Sequence, residues 1–423
     1  MPTARGGVPL FLPAAGGTEA LLADECRELL GAAARIEAGR GGVSVQGDET
    51  VAMRLNLESR IAQRVLWPLA AGRYRDEADL YALARQVRWA DWIAPTQTLR
   101  VDTSARHCPL RSLHFTALRV KDAVCDTLRE RAGARPAVAL RDPDLPLLLH
   151  LGAEHATLYA DTSGEPLFKR GWRDAAAAGH EVKGEAPLKE TLAAAMLAAA
   201  GWHGRPGDAP LLDPCCGAGT IAIEAAQRAC GVAPGAQRRF AFERLAPFRD
   251  QRAAWLAMQR AARERVHAPA APVFAGDVSF RMTDFAARNA ARAGVGAAIA
   301  FKTADALQRP PPAAHGVLML NPPYGERLAP KGTAGAARED AVGGDGDFFA
   351  ALAAHWKRHY PGWTAWVLSP DARLPGRMRL KESRRVPLWN GPIECRLYRF
   401  DLVAGSHRGA AGAPRDDAPV ASG

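Results

Sequence analysis

The sequence lacks several features that define whole classes of protein. No apolar run approaches the ~18 residues that a membrane span needs. The stretch through Leu12 has one Arg and a short apolar segment interrupted by prolines, which makes a poor signal peptide. Hydrophobic residues make up 48% and charged residues 24% of the 423, close to average usage, which argues against fibrous and globally disordered classes. We therefore expect a cytoplasmic globular protein of two or three domains.

Cysteine is also scarce and badly spaced for structural chemistry. The seven cysteines are an odd number without a CxxC pair, and only Cys215 and Cys216 are adjacent. A disulfide framework or a zinc site would need other spacings, so we expect free thiols and no metal.

Positive charge is in excess. The formal net charge is +10 and the pI is about 9.5, so the electrostatic field of the protein attracts polyanions. Between Arg60 and Arg141 there are fifteen Arg or Lys against eight Asp or Glu, so most of the net charge falls in this quarter of the chain. Charge alone does not name the partner, because such a run is also typical of an ordinary solvated surface.

The chain divides into regions by its hydrophobic pattern. Residues 10–47 predict a small α+β unit with a helix over Thr18 to Leu30, and amphipathic stretches at Leu55 to Leu69 and Ala117 to Arg131 follow. From Pro187 onward, strands alternate with helices, which predicts a mostly parallel sheet covered on both faces. The predicted segments there are Pro210 to Asp213, Thr220 to Ala229, Val273 to Asp277, Met282 to Ala293, Ile299 to Ala304, Val317 to Leu320, Phe348 to His359 and Trp363 to Ser369. Gly332 to Asp347 predicts a mobile loop, and Ala404 to Gly423 a disordered tail.

A glycine-containing turn follows the first of these strands. Asp213 ends the strand, Gly217 and Gly219 follow, and a helix begins at about Ile221. The glycines allow close backbone approach and the helix N-terminus offers free N–H groups, which suits a nucleotide-like cofactor. The third glycine of the dinucleotide fingerprint is missing, and a turn that needs glycine only for packing stays possible.

Carboxylates stand at the ends of the next two strands. Asp277 is placed to hold ribose hydroxyls, and Asp305 to accept a hydrogen bond from an adenine amine. A single acid at a strand end is more often a turn former or helix cap. Two of them after a GxG turn favour a cofactor site.

The most specific motif is Asn321-Pro322-Pro323-Tyr324-Gly325, directly after an apolar strand. The prolines remove backbone donors and stiffen the turn, so the Asn321 side chain and the Pro322 carbonyl can accept hydrogen bonds from an exocyclic amine. Tyr324 can stack on a base taken out of its helix. His315 is a conceivable proton acceptor, although an exposed or satisfied histidine at a strand start is the more common reading.

This order of motifs resembles the class I amino-methyltransferases. NPPYGERL at Asn321 to Leu328, PLKETLAAAML at Pro187 to Leu197, LLDPCCGAGTIAIEAA at Leu211 to Ala226 and NGPIECRLYRF at Asn390 to Phe400 are similar to the RlmL family of 23S rRNA guanine-N2 methyltransferases. FLPAAGGTEALLADEC at Phe11 to Cys26 and RGWR at Arg170 to Arg173 extend the likeness over nearly the whole chain.

The resemblance implies an α/β architecture with a C-terminal Rossmann-like class I methyltransferase domain behind an α+β N-terminal region that contains a THUMP domain. The implied divisions are a ferredoxin-like part at 1–47, an RNA-binding THUMP domain at 48–165, the methyltransferase domain at 166–403 and the tail. The cofactor would be S-adenosyl-L-methionine, and the partner 23S rRNA or a large-subunit precursor. Asp213, Gly217 and Gly219 would approach the methionine part of the cofactor, Asp277 the ribose and Asp305 the adenine. Asn321, Pro322 and Tyr324 would hold the target base.

Two departures from the family pattern qualify these expectations. Relatives often carry a second acid two places after the ribose acid, where this chain has Ser279, so the ribose assignment depends on Asp277 alone. Many relatives also continue into a second methyltransferase domain that makes 7-methylguanine, and we expect that activity to be absent here.

Three other functions stay open from the sequence. NPPY by itself also fits methylation of adenine N6 in DNA, although the long basic N-terminal half argues against it. An rRNA-binding assembly factor that merely retains the fold is a second alternative, which the intact loop, acids and NPPY disfavour. A nicotinamide oxidoreductase is a remote third.

Overall fold

Two β-sheets organise the protein. The computed structural model describes residues 7–173, 188–322 and 344–403. The strands are β1 Val8–Pro13, β2 Ile36–Gly39, β3 Gly42–Gly47, β4 Leu66–Arg73, β5 Thr98–Ala105, β6 Ala137–Val138, β7 Leu145–Leu151, β8 His155–Asp161, β9 Leu211–Asp213, β10 Val273–Asp277, β11 Ile299–Thr303, β12 Gly316–Leu320, β13 Trp363–Ser369, β14 Arg384–Asn390 and β15 Ile393–Leu402. The α-helices are α1 Glu19–Leu30, α2 Glu49–Glu58, α3 Glu77–Arg85, α4 Leu113–Ala132, α5 Glu190–Ala199, α6 Thr220–Ala229, α7 Arg252–Glu264, α8 Phe280–Arg292, α9 Gly344–His359 and α10 Leu374–Met378.

The N-terminal sheet has eight strands in the order β2-β3-β1-β4-β8-β7-β5-β6. Its first part runs β1-α1-β2-β3-α2-β4 with the strands ordered β4-β1-β3-β2, which is the ferredoxin-like arrangement. β4 then pairs antiparallel with β8 over nearly its whole length, so the next unit continues the same sheet. Asp48, Asp76 and Ser112 begin α2, α3 and α4 by accepting backbone N–H groups in the first turn.

The C-terminal sheet has seven strands in the order β11-β10-β9-β12-β13-β15-β14. Strands β9 to β13 are parallel, and β15 and β14 add an antiparallel edge. Apolar residues of α5, α6 and α8 pack on one face, and those of α9 and α10 on the other. The predicted doubly wound sheet is confirmed, with the carboxyl ends of its parallel strands along one edge.

Several predicted elements differ from the structure. The stretch Leu55 to Leu69 is not one helix, because α2 ends at Glu58 and β4 begins at Leu66. Glu25 of α1 accepts hydrogen bonds from the Ser59 hydroxyl (2.6 Å) and the backbone N–H of Arg60 (2.9 Å), which holds the chain away from a further helical turn.

The sequence pattern also missed some elements, and part of what it predicted lies outside the described residues. Helix α7 and the β14–β15 hairpin were not predicted. The predicted loop Gly332 to Asp347 lies outside the described residues up to 343, and its last four residues belong to α9. The predicted tail lies outside the described residues.

A buried ionic group joins the N-terminal region to the methyltransferase sheet. Glu224 of α6 is fully buried and pairs with Arg170 (Nε to Oε1, 2.9 Å) and Arg60 (Nη1 to Oε2, 3.6 Å). Arg170 also donates to the carbonyl of Arg60 (2.6 Å), and Arg60 donates to the carbonyl of Val232. Burial lowers the pKa of Arg60 to about 10, so the cation persists at neutral pH. These ion pairs between the two regions are almost fully buried, so solvent screens them very little.

We predict that Glu224→Gln lowers the free energy of unfolding by about 3–5 kcal/mol, because it leaves two buried guanidinium groups without their counter-charge. Urea unfolding of the full chain measures this loss. Glu154→Gln, at an exposed position, is the control for removing one carboxylate. A loss below about 1 kcal/mol, as for a surface ion pair, would contradict the role given to Glu224.

Candidate active site

The turn between β9 and α6 needs its two glycines for backbone reasons. Gly217 has φ +50° and Gly219 has φ +85°, in the left-handed region that side chains disfavour. A Cβ on Gly219 would also lie 3.0 Å from the Cβ of Ala286 on α8. A Cβ on Gly217 would meet nothing within 4 Å, so open space adjoins the turn there. The turn can thus accept a ligand against its backbone.

Asp277 and Asn289 hold this turn in place. Oδ2 of Asp277 accepts the backbone N–H of Gly217 (3.1 Å), and Oδ1 accepts the backbone N–H of Ser279 (2.9 Å). Nδ2 of Asn289 donates to the carbonyl of Ala218 (2.9 Å). Asp277 therefore stabilises the turn through its hydrogen bond with Gly217. The sequence did not predict this contact. Each carboxylate oxygen can accept a further hydrogen bond, so both remain able to bind a ligand hydroxyl.

The predicted acids line one edge of the sheet. Asp213 pairs with Ala275 of β10 in the parallel register, and Asp277 pairs with Thr303 of β11, two residues before Asp305. Oδ1 of Asp305 accepts the backbone N–H of Leu307 (2.9 Å). Neighbouring strands lie about 4.8 Å apart. The three carboxylates thus follow one another across the ends of β9, β10 and β11.

Burial changes the charge of these acids. Asp213 is 2% exposed, and its burial raises its pKa to about 8, with the negative charge of Asp277 acting in the same direction. Burial also raises the pKa of Asp277. Asp213 therefore keeps its proton at neutral pH in the free protein, and a cationic ligand group nearby would favour its ionisation.

The predicted base-binding residues lie on the other side of β9. Strand β12 pairs with β9 through Leu318 and Leu212, and Asn321 and Pro322 follow β12 at the same carboxyl edge as the acids. Asn321 is half-buried and Pro322 buried. Tyr324 lies outside the described residues. Asp277 and Asn321 thus stand on either side of β9, whose own last residue is Asp213.

His315 is not part of this arrangement. It is exposed and directly precedes Gly316, the first residue of β12. Asn321 follows the last residue of the same strand, so the length of β12, roughly 16 Å, separates the two. His315 is therefore an exposed histidine at a strand start, and its distance from Asn321 excludes it as the proton acceptor.

Arg309 is a residue at this site that the sequence interpretation missed. Its backbone N–H donates to the carbonyl of Asp305 (2.9 Å), and its side chain is 5% exposed. Nη1 is buried without a hydrogen-bond partner among the described residues, and it lies against Gly276, where a Cβ would collide with it. Burial lowers the pKa of its guanidinium group. Arg309 thus places a positive charge behind the acids, and no local motif marks it.

The described residues show neither a metal centre nor a membrane span. They contain no group of three or more His, Cys, Asp and Glu placed to hold an ion. None of the helices among them is both long and apolar enough to cross a bilayer.

Comparison with known proteins identifies the domains. A model of the RMKL-like methyltransferase domain matches residues 178–399, a THUMP domain model matches 74–161, and an RlmL ferredoxin-like domain model matches 9–66. In the solved structures, SMU.472, a putative methyltransferase complexed with SAH, is similar with a TM-score of 0.79 and 25% identity over 94% of this chain and 99% of that one.

Two relatives illustrate the range of lengths. The putative RNA methyltransferase slr0064 of Synechocystis sp. is 35% identical over 93% of this chain and 97% of that protein. The ribosomal RNA large subunit methyltransferase K/L of Syntrophotalea carbinolica is 38% identical over 98% of this chain but 55% of that protein. The chain thus spans nearly all of the first and about half of the second.

The parallel sheet, the glycine turn and the acids at the next strand ends define a class I methyltransferase, and S-adenosylmethionine is the cofactor of that class. The chain belongs to the RMKL-like methyltransferase family. The residues present fit the cofactor, because open space adjoins Gly217, and Asp277, which accepts the backbone N–H of Gly217, can accept further hydrogen bonds from ligand hydroxyls. The predicted fold, family and cofactor are confirmed.

We predict that Asp277→Ala weakens S-adenosylmethionine binding roughly 100-fold or more. The change removes a charged acceptor for two ligand hydroxyls, each worth about 1.5–3 kcal/mol, and also releases the backbone of Gly217. Isothermal calorimetry measures the affinity, with Asp284→Ala on the half-exposed side of α8 as the control. Unchanged affinity would remove Asp277 from the site.

We predict that the buried carboxyl of Asp213 makes the free energy of unfolding depend on pH, and that Asp213→Asn abolishes this contribution. The folded wild type, with a pKa of about 8 for Asp213 against 3.8 ordinarily, binds more protons than the unfolded chain between these values. The contribution of Asp213 to the free energy of unfolding therefore falls as the pH rises from 3.8 to about 8. The amide cannot ionise, so the variant should gain stability relative to wild type from pH 5 to pH 9 in cofactor-free unfolding. Asp250→Asn controls for an exposed carboxylate; a parallel trend in both variants would refute the buried neutral acid.

Proposed function

We propose that this chain transfers a methyl group from S-adenosylmethionine to the exocyclic N2 amine of a guanine in 23S rRNA, free or in a large-subunit precursor. The position of Asn321 and Pro322 carries the proposal, since they follow β12 at the edge where β9 starts the cofactor turn. The printed names of the Synechocystis and Syntrophotalea relatives support RNA, and in the second case ribosomal RNA, as the substrate class.

The chemistry requires positioning above all. When bound, S-adenosylmethionine supplies an electrophilic methyl group on a positively charged sulfur. The residues of this chain would hold that methyl carbon in line with the amine nitrogen, which would take it up with loss of one proton while the electron pair of the carbon–sulfur bond stayed on sulfur. The lone pair of a base amine is delocalised into the ring, so acceptors must fix both of its hydrogens. We assign these acceptors to the Asn321 side-chain oxygen and the Pro322 carbonyl, and base stacking to Tyr324.

The N-terminal region is assigned to RNA binding. It includes the THUMP match and the basic excess between Arg60 and Arg141. Because Arg60 of the N-terminal region pairs with buried Glu224, the methyltransferase part should not be tested as a separate fragment. Every experiment below uses the full chain.

We predict that Asn321→Ala slows methyl transfer roughly 100-fold to 1000-fold, the typical cost of removing one positioned hydrogen-bonding group, and leaves cofactor affinity within about twofold. Asn321→Asp should lose less, because a carboxylate still accepts from the amine. The measurement is single-turnover transfer of labelled methyl to 23S rRNA at saturating cofactor, with the product nucleoside identified.

Three results would separate the alternatives. Transfer near the wild-type rate by Asn321→Ala, or methyl on a ring nitrogen or ribose, would refute the amine acceptor. Methylated adenine in DNA, with RNA unmodified, would establish the DNA enzyme. Failure of the wild type to bind the cofactor would favour a ribosome-assembly role.

A further inference from the structure

Helix α7 presents an exposed row of cations that the site described above does not use. Arg252, Leu256, Arg260 and Arg263 are all exposed. At about 100° per residue their directions fall within roughly 80° of one another around the helix axis. We call these four residues the α7 outer face. It extends about 16 Å along the helix.

The opposite side of α7 fixes the orientation of this face. Trp255 is buried and makes edge-on contacts with Phe240 and Phe242, with ring centroids 5.7 and 4.9 Å apart. Ala262 is buried on the same side. The helix therefore cannot turn to bury Leu256, whose side chain is 50% exposed in the middle of the cations.

The charges of the outer face are uncompensated within the protein. Arg252, Arg260 and Arg263 have no ion pair or side-chain hydrogen bond in residues 7–173, 188–322 and 344–403. Arg85 and Arg100 of the N-terminal region, in contrast, pair with Glu130 and Asp102.

The first turn of α7 adds to this imbalance. It has no acidic residue, and Arg252 stands there, where the helix dipole disfavours a cation. Between residues 238 and 265 the sequence holds eight Arg and three acids. This excess of cations points to an external anion.

The face lies where the N-terminal region meets the methyltransferase domain. Helix α7 packs on α2, and Arg265 just after it pairs with Glu58 of α2 (2.6 Å). Phe248, just before α7, contacts Trp67 of β4 edge-on at 5.8 Å between ring centroids. A long ligand that spans both regions would therefore pass this junction.

We propose that the α7 outer face binds the sugar–phosphate backbone of the RNA substrate, away from the target base. The proposal rests on the function proposed above. Guanidinium groups match phosphate oxygens in geometry and charge, and Leu256 can pack against a ribose between them. A membrane surface fits less well, because the apolar side of α7 is buried in the protein and Leu256 alone would insert.

The test replaces the three arginines together, as Arg252→Gln/Arg260→Gln/Arg263→Gln. A matched control, Arg35→Gln/Arg40→Gln/Arg358→Gln, removes the same charge from exposed positions elsewhere. Affinity for 23S rRNA is measured at several salt concentrations. We expect the outer-face variant to bind roughly tenfold or more weakly, with a log–log salt slope reduced by about 2 to 3, and cofactor affinity to stay unchanged. Lysine at the three positions should restore most of the slope.

Every other outcome contradicts either the α7 contact or the function on which it rests. If both triple variants lose the same affinity, or neither loses any while the wild type methylates RNA, the α7 contact is wrong and the proposed function stands. If the outer-face variant loses affinity for vesicles of anionic lipid but not for RNA, the face is a membrane contact. If the wild type neither binds nor methylates RNA, the proposed function itself fails.

Discussion

The architecture depends on the burial of one carboxylate. Glu224 lies in α6, four residues after its start, and is neutralised by Arg60 and Arg170 from outside the parallel sheet. An ionised carboxylate taken from water costs several kcal/mol unless its partners are in place. Helix α6 begins directly after Gly219, so the same helix that carries this buried ion pair also follows the cofactor turn.

From that fixed helix, parallel pairing builds the rest of the site. Strands that run the same way end at the same edge, so residues far apart in sequence meet there without further contacts. The edge carries acids on one side of β9 and Asn321 on the other. The cation of Arg309 favours the ionised form of Asp213, and the lack of a side chain at Gly276 leaves room for its guanidinium group. Asp277 and Asn321 thus follow strands that lie on either side of β9.

The sequence pattern correctly predicted those elements that are determined by residues close together in the chain. Helix α6 and strands β10 and β13 have the predicted bounds, because glycine turns, apolar runs and strand-end acids are written in adjacent residues. Long-range contacts have no such signature. The pairing of Arg60 with Glu224 joins residues 164 positions apart, and the guanidinium group of Arg309 lies against Gly276, 33 positions earlier in the chain. Helix α7 was missed because its buried side holds few apolar residues, and Leu55 to Leu69 was misread because a contact from Glu25 ends α2.

We propose that this chain methylates one guanine of 23S rRNA at N2. Nucleoside mass spectrometry with position mapping, on ribosomal RNA from cells lacking the gene, tests it most directly. We expect loss of a single N2-methylguanosine in 23S rRNA, restored by the wild-type gene but not by Asn321→Ala. An unchanged set of N2-methylguanosines in 23S rRNA, or restoration by Asn321→Ala to the full level, would contradict it.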